Sequence, residues 1–166
     1  MRMKGSKNGN GLSATVNNVM KLRLPSLSVN EGVARSAVSA FCAQLDPSAS
    51  ELADIKCVVS EAVTNCIVHA YRDTIGEIYI EVALCVEREV RITIRDKGCG
   101  IEDVAVARQP LYTTDAEGER SGMGFTVMES FTDAVKVRSR LGEGTTVELR
   151  KRLSTRRDVL RADAHA

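Results

Sequence analysis

No apolar run in this sequence approaches the roughly 20 residues that a membrane-spanning helix needs. An excess of charge is lacking too. With 23 basic and 22 acidic residues the formal net charge is +1, which removes the electrostatic case for a nucleic-acid or membrane-surface protein. The five cysteines form no C-x-x-C pair, and two histidines are too few to complete a zinc site with them. The thiols are therefore expected to be reduced and to act as small core residues, which places the protein in a reducing cytoplasm. The basic N-terminus has no apolar stretch behind it and is not expected to be a secretory signal. Neither G-x-x-x-x-G-K-[ST] nor a strand, G-x-G-x-x-G, helix unit occurs, which excludes a Walker P-loop and a dinucleotide fold.

What is present is an ordinary globular composition, 43% hydrophobic and 27% charged over 166 residues, enough for one domain with a proper core. Residues 1–18 are rich in Gly, Asn, Ser and Lys and read as a flexible leader. Val19 to Leu24 alternates as a half-buried strand. Asn30 is expected to cap a helix bearing Val33, Ala34, Ala37, Val38, Phe41 and Leu45 on one face. A long helix follows from Ser50 to Ala70, then two strands, Glu77 to Val86 and Glu89 to Arg95, joined by a tight turn at Glu87-Arg88. Residues 101–122 lack periodicity and read as a long functional loop. A short helix from Met123 to Phe131 and the strands Ala134 to Arg138 and Thr145 to Arg150 complete a domain over residues 19–150. Residues 151–166 read as a basic tail. Strands on one side and helices on the other make an α+β fold, a two-layer α/β sandwich.

Three polar stations carry the chemistry. On the long helix, Glu61 and Asn65 stand at i and i+4 on a face turned away from the main apolar arc, with His69 one turn further. A carboxylate there can accept a proton from an attacking hydroxyl, and a carboxamide oxygen is a hard ligand suited to Mg²⁺. At the end of a strand, Asp96 can accept a hydrogen bond from the exocyclic amine of adenine, and Gly98 and Gly100 would let the backbone approach the ring. Gly122 and Gly124 stand at a helix N-terminus, where free N–H groups favour phosphate, and Arg120 beside them can pair with its oxygens. Each station alone also reads as something plainer: a solvated polar face, a strand-ending turn, a lone G-x-G.

As a set they resemble the Bergerat-fold (histidine kinase-like) ATP-binding domains of gyrase, the Hsp90 chaperone, mismatch-repair ATPases and histidine kinases. That resemblance implies ATP/ADP and Mg²⁺ as cofactors, puts Asn65 at the metal, and adds Thr145 to the adenine site. Residues 1–60 contain no His to serve as an acceptor, and no transducer domain is expected to follow the last strand, which leaves a small stand-alone module. The strings Asn30-Glu-Gly-Val-Ala-Arg35, Ser60-Glu-Ala-Val-Thr-Asn65, Arg108-Gln-Pro-Leu-Tyr-Thr-Thr114 and Glu119-Arg-Ser-Gly-Met-Gly-Phe125 resemble the anti-sigma-F family of endospore-forming bacteria. The resemblance implies a dimeric serine kinase that holds the sporulation sigma factor sigma-F and phosphorylates a serine of its anti-anti-sigma antagonist. It further implies nucleotide contacts from Thr114, Arg120, Ser121, Gly122 and Met123, and a contact of Arg35 with both protein partners. Two other readings stand beside it: the anti-sigma kinase of a general-stress, sigma-B-type partner switch, and a nucleotide-dependent sigma-binding module without kinase activity.

Overall fold

The period-two strands and period-3.6 helices written in the sequence form two layers in the computed structural model, which describes residues 15–109 and 123–154. The strands are β1 (Val16–Pro25), β2 (Glu77–Cys85), β3 (Glu89–Arg95), β4 (Ala134–Arg140) and β5 (Gly144–Arg152), in the order β1-β2-β3-β5-β4 with every neighbour antiparallel. The helices are α1 (Val29–Cys42), α2 (Ala49–Asn65), a single turn α3 (Val104–Ala107) and α4 (Gly124–Phe131). One sheet face carries Ile78, Ile80, Val82 and Leu84 of β2, Val90, Ile92 and Ile94 of β3, and Val147 and Leu149 of β5. It packs on Ala34 and Val38 of α1, Ile55, Val59, Ala62 and Val63 of α2, and Met128 of α4. Burying each large aliphatic side chain here contributes about 1.5–3 kcal/mol. On the opposite face the register aligns Lys21, Glu81, Thr93 and Glu148 in one polar row across the strands, and among the described residues helices cover one side only. This is the α+β two-layer sandwich expected from the sequence.

Several boundaries move. β1 begins at Val16 rather than Val19, and β5 runs to Arg152 with Leu153 buried behind it, so the folded chain passes the expected limit at 150. Asn30 does not cap α1. Ser28 holds that place, and the Asn30 carboxamide instead donates 2.9 Å to the Pro25 carbonyl, tying the helix start to the end of β1. In the β2–β3 turn Glu87 and Arg88 adopt φ of 57° and 60°, a region costly for residues with a Cβ. Tertiary bonds hold them there: Arg88 donates 3.1 Å to the Asp46 carbonyl and accepts 3.0 Å from the Leu153 N–H.

A buried carboxylate fixes the start of α2. Ser48 and Glu51 form a capping box, Glu51 Oε2 accepting 2.8 Å from the Ser48 N–H, while Glu51 Oε1 accepts 2.6 Å from the Ser154 N–H. Burial pushes this carboxyl up, but the hydrogen bonds from Ser154 and Ser48 outweigh it and hold it below its ordinary value. A depressed folded value means stability that is present above the unfolded value, about 4.3, and lost as pH falls through the folded one. Glu51→Gln is expected to destabilise by about 1–3 kcal/mol at pH 7, the difference from wild type closing in acid. Urea midpoints that coincide at pH 7 would dismiss the staple.

Candidate nucleotide site

The site lies at one end of the sandwich, where α2 meets the end of β3 and the start of β5. Two features of α2 place its polar face there. Its apolar residues take the core side, leaving Glu61, Asn65 and His69 half-buried on the other. Its last residues then widen into a π-helical turn, Cys66–Ala70, a departure that recurs at functional sites. The wide turn presents the Ala70 carbonyl to the Cys99 N–H at 3.0 Å and the His69 carbonyl to the Cys99 thiol at 3.1 Å, docking the Asp96–Gly100 segment on the helix end.

Asp96 is 4% exposed and doubly anchored. Its Oδ1 accepts 2.9 Å from the Gly98 N–H and 3.1 Å from the Thr145 N–H, and its own N–H donates 3.0 Å to the Thr145 carbonyl. Its Oδ2 accepts from the Cys66 thiol, with sulfur 3.6 Å away. Burial pushes the carboxyl up from its ordinary value, and the N–H groups of Gly98 and Thr145 and the Cys66 thiol offset part of that rise. Burial likewise raises the Cys66 thiol well above the usual range. Thr145 thus reaches Asp96 through its main chain, while its hydroxyl lies 2.8 Å from that of Ser139, which also accepts 2.8 Å from the Ile101 N–H.

The glycines show why no side chain is tolerated. A Cβ on Gly98 would overlap the Ala70 carbonyl, so this residue holds the Asp96 turn against α2, and it is Gly100 that lines the cleft. Gly144, at φ +95°, lies against the Asp96 carbonyl, the approach that brings Thr145 within reach of Oδ1. A Cβ on Gly124 would sit 3.1 Å from Glu61 Oε2 and 3.5 Å from Asn65 Oδ1. The first and third stations therefore converge: the N-terminus of α4 opens directly opposite the Glu61–Asn65 pair. Among the described residues no side chain caps α4, whose N-cap is Met123, and a helix N-terminus of this kind offers N–H groups to a ligand.

Glu61, Asn65, His69, Asp96, Gly100, Met123, Gly124 and Thr145 line one cleft of about 860 Å³, with Ile101, Phe125 and Val147 among its apolar walls. That size and mixture suit a nucleotide. Among the described residues no three His, Cys, Asp or Glu side chains gather as a metal site. A cation held by Asn65 would take its remaining ligands from phosphate and water, as Mg²⁺ does. The oxygen donors facing the α4 N-terminus fit that arrangement. Thr114, Arg120, Ser121 and Gly122 lie outside the described residues. Arg35 stands apart from the cleft on α1, half-exposed, 3.7 Å from Glu31, whose carboxylate also accepts 2.5 Å from Ser60 next to Glu61. Reading the sequence missed Cys66, Ser139 and Gly144 as parts of the site. Only the position of Cys66 directly after Asn65, and of Gly144 directly before Thr145, could have pointed to two of them.

Comparison with known proteins bears on the family and the fold. Residues 24–151 match the family model of the histidine kinase-like ATPase domain. The chain is 52% identical over 141 residues to an anti-sigma F factor of Caldanaerobacter subterraneus subsp. tengcongensis, covering 85% of this chain and 98% of the relative. It is 56% identical over 138 residues to one from Anoxybacillus flavithermus, covering 82% and 94%. Among solved structures, the RsbU and RsbW domains of a Mycobacterium tuberculosis protein superpose with a TM-score of 0.62 at 22% identity, over 84% of this chain and 33% of that one. The blue-light activated histidine kinase of Erythrobacter litoralis gives 0.54 at 19%, over 74% and 42%. At those identities the structures speak for the fold alone.

Proposed function

This chain belongs to the anti-sigma F factor family, built on a histidine kinase-like ATPase domain, and from that premise we propose that it is an ATP-dependent protein serine kinase that also holds sigma-F. The observation that carries the kinase reading is the convergence of Glu61 and Asn65 on the N-terminus of α4 at Gly124. A module that only bound a sigma factor would need neither a carboxylate nor a carboxamide at that point.

In this reading Asp96 Oδ2 accepts the adenine amine, while Oδ1 is engaged by the main-chain N–H groups of Gly98 and Thr145. The N–H groups at the start of α4, with Gly122 and Arg120, hold the β- and γ-phosphates, and Thr114, Ser121 and Met123 make further nucleotide contacts. Glu61 accepts the hydroxyl proton of the incoming serine as its oxygen attacks the γ-phosphorus, and ADP leaves with the electron pair of the broken P–O bond. Mg²⁺, held at Asn65 when bound, would neutralise charge on the phosphates. The accepting serine belongs to an anti-anti-sigma protein. Arg35 contacts both partners, on a helix tied to the Glu61 segment through Glu31 and Ser60. The protein acts in the cytoplasm, where its five free thiols stay reduced. Its homodimer forms along the outer edge of β1, where Val16 and Val19 are exposed; sedimentation as a monomer at micromolar concentration would overturn that assignment.

The test is incubation of the protein with γ-labelled ATP and a small anti-anti-sigma protein, followed by identification of the labelled residue. Label on serine is the expected result, and binding of the sigma factor without any label would leave a nucleotide-responsive binder. Capture of sigma-F in preference to a sigma-B-type factor is expected in a parallel pull-down; the reverse preference would move the protein to a general-stress switch.

A further inference from the structure

The cleft contains a buried group that the proposed transfer does not use. Cys66 is 5% exposed, sits on the π-helical turn immediately after Asn65, and donates to Asp96 Oδ2 at 3.6 Å. We propose that Cys66 is a positioning residue for adenine recognition, its thiol holding Asp96 Oδ2 in the orientation that meets the exocyclic amine. The inference rests on the adenine site proposed above and deepens it.

The two carboxylate oxygens of Asp96 are held differently. Oδ1 accepts two main-chain N–H groups, from Gly98 and Thr145. Both engage that one oxygen, and neither contacts Oδ2. Oδ2 has the Cys66 thiol as its partner among the described residues, and a carboxylate oxygen has a second lone pair to offer. The thiol occupies one lone pair of Oδ2 and so restrains the oxygen while leaving the second for the amine. The π-helical turn matters because it sets the helix end that brings this sulfur to Asp96 while Glu61 and Asn65 keep facing the cleft.

The experiment compares ATP with purine riboside triphosphate, which lacks the exocyclic amine, by equilibrium titration on wild type, Cys66→Ser, Cys66→Ala and Cys66→Val, each first shown to unfold cooperatively. Wild type is expected to prefer ATP. Ala, which leaves space, and Val, which fills it, both lack the donor and are expected to cut the preference about 2- to 10-fold, whereas Ser keeps a donor and stays within about twofold of wild type. In turnover with the protein substrate, Ala and Val should raise KM for ATP and leave kcat unchanged, the pattern of lost uniform binding. If Val retains the full preference, or Ser loses as much as Val, Cys66 is packing and the proposal is overturned while the adenine site stands. If wild type itself does not distinguish the two nucleotides, the adenine assignment of Asp96 fails, and the role of Cys66 with it.

Discussion

Glu61→Gln is expected to lower phosphoryl transfer by about 10²- to 10⁴-fold, the usual worth of a positioned proton acceptor. The substitution is nearly isosteric and removes the one property the mechanism uses, acceptance of a proton. Among the described residues the Glu61 carboxylate takes part in no hydrogen bond or ion pair that the fold depends on, so the variant should melt with wild type and bind ATP comparably. Asn65→Ala provides the contrast. It should abolish transfer as well, but through the metal, so nucleotide affinity should lose its dependence on Mg²⁺, which Glu61→Gln should retain. Full phosphorylation by Asn65→Ala would sink the ligand assignment, and transfer by Glu61→Gln within tenfold of wild type would sink the base.

Asp96→Asn tests the other end of the cleft, with two effects of opposite sign. An Asn can keep an oxygen facing the N–H groups of Gly98 and Thr145, so the turn survives. It then presents an N–H₂ where Oδ2 faced the adenine amine, and two donors meet. Loss of a charge-assisted bond predicts ATP binding weaker by about 10- to 150-fold. The ligand-free fold should gain, because burial holds this carboxyl above its ordinary value and its ionised form is disfavoured in the native state. Below the ordinary value of about 3.9 the group is protonated in both folded and unfolded chains and costs nothing. The cost grows as pH rises from there through the raised folded value, then stays constant. The variant should therefore melt higher than wild type at pH 7, the advantage vanishing in acid. A lower Tm at pH 7 would show that the carboxylate's hydrogen bonds outweigh its desolvation.

The parts of this protein legible in its sequence are those written as periodicity. Alternation in Glu77–Cys85 and Glu89–Arg95 yields the central strands, and the spacing of Ile55, Val59 and Val63 puts Glu61 and Asn65 on the opposite side of α2. What periodicity does not encode is which local option the surroundings select. Ser28 and Asn30 are both good cap residues, and the nearby Pro25 carbonyl gives Asn30 other work. Gly98 was legible as part of a motif but its contact was not, since it answers to the Ala70 carbonyl at the end of the π-helical turn. Cys66 looked like any small core residue because its partner lies 30 positions away in sequence.

The bond between Thr145 and Asp96 spans 49 positions and depends on β3 and β5 lying side by side. The β2–β3 and β4–β5 hairpins can each close locally, but that pairing joins one to the other, a non-local closure of the kind that slows folding. The adenine acceptor is complete only once both hairpins have met. A nucleotide therefore has nothing to recognise in a chain that has formed its hairpins alone. Its stabilisation appears as slower unfolding rather than faster folding, so bound nucleotide prolongs the life of the finished molecule without helping to make it.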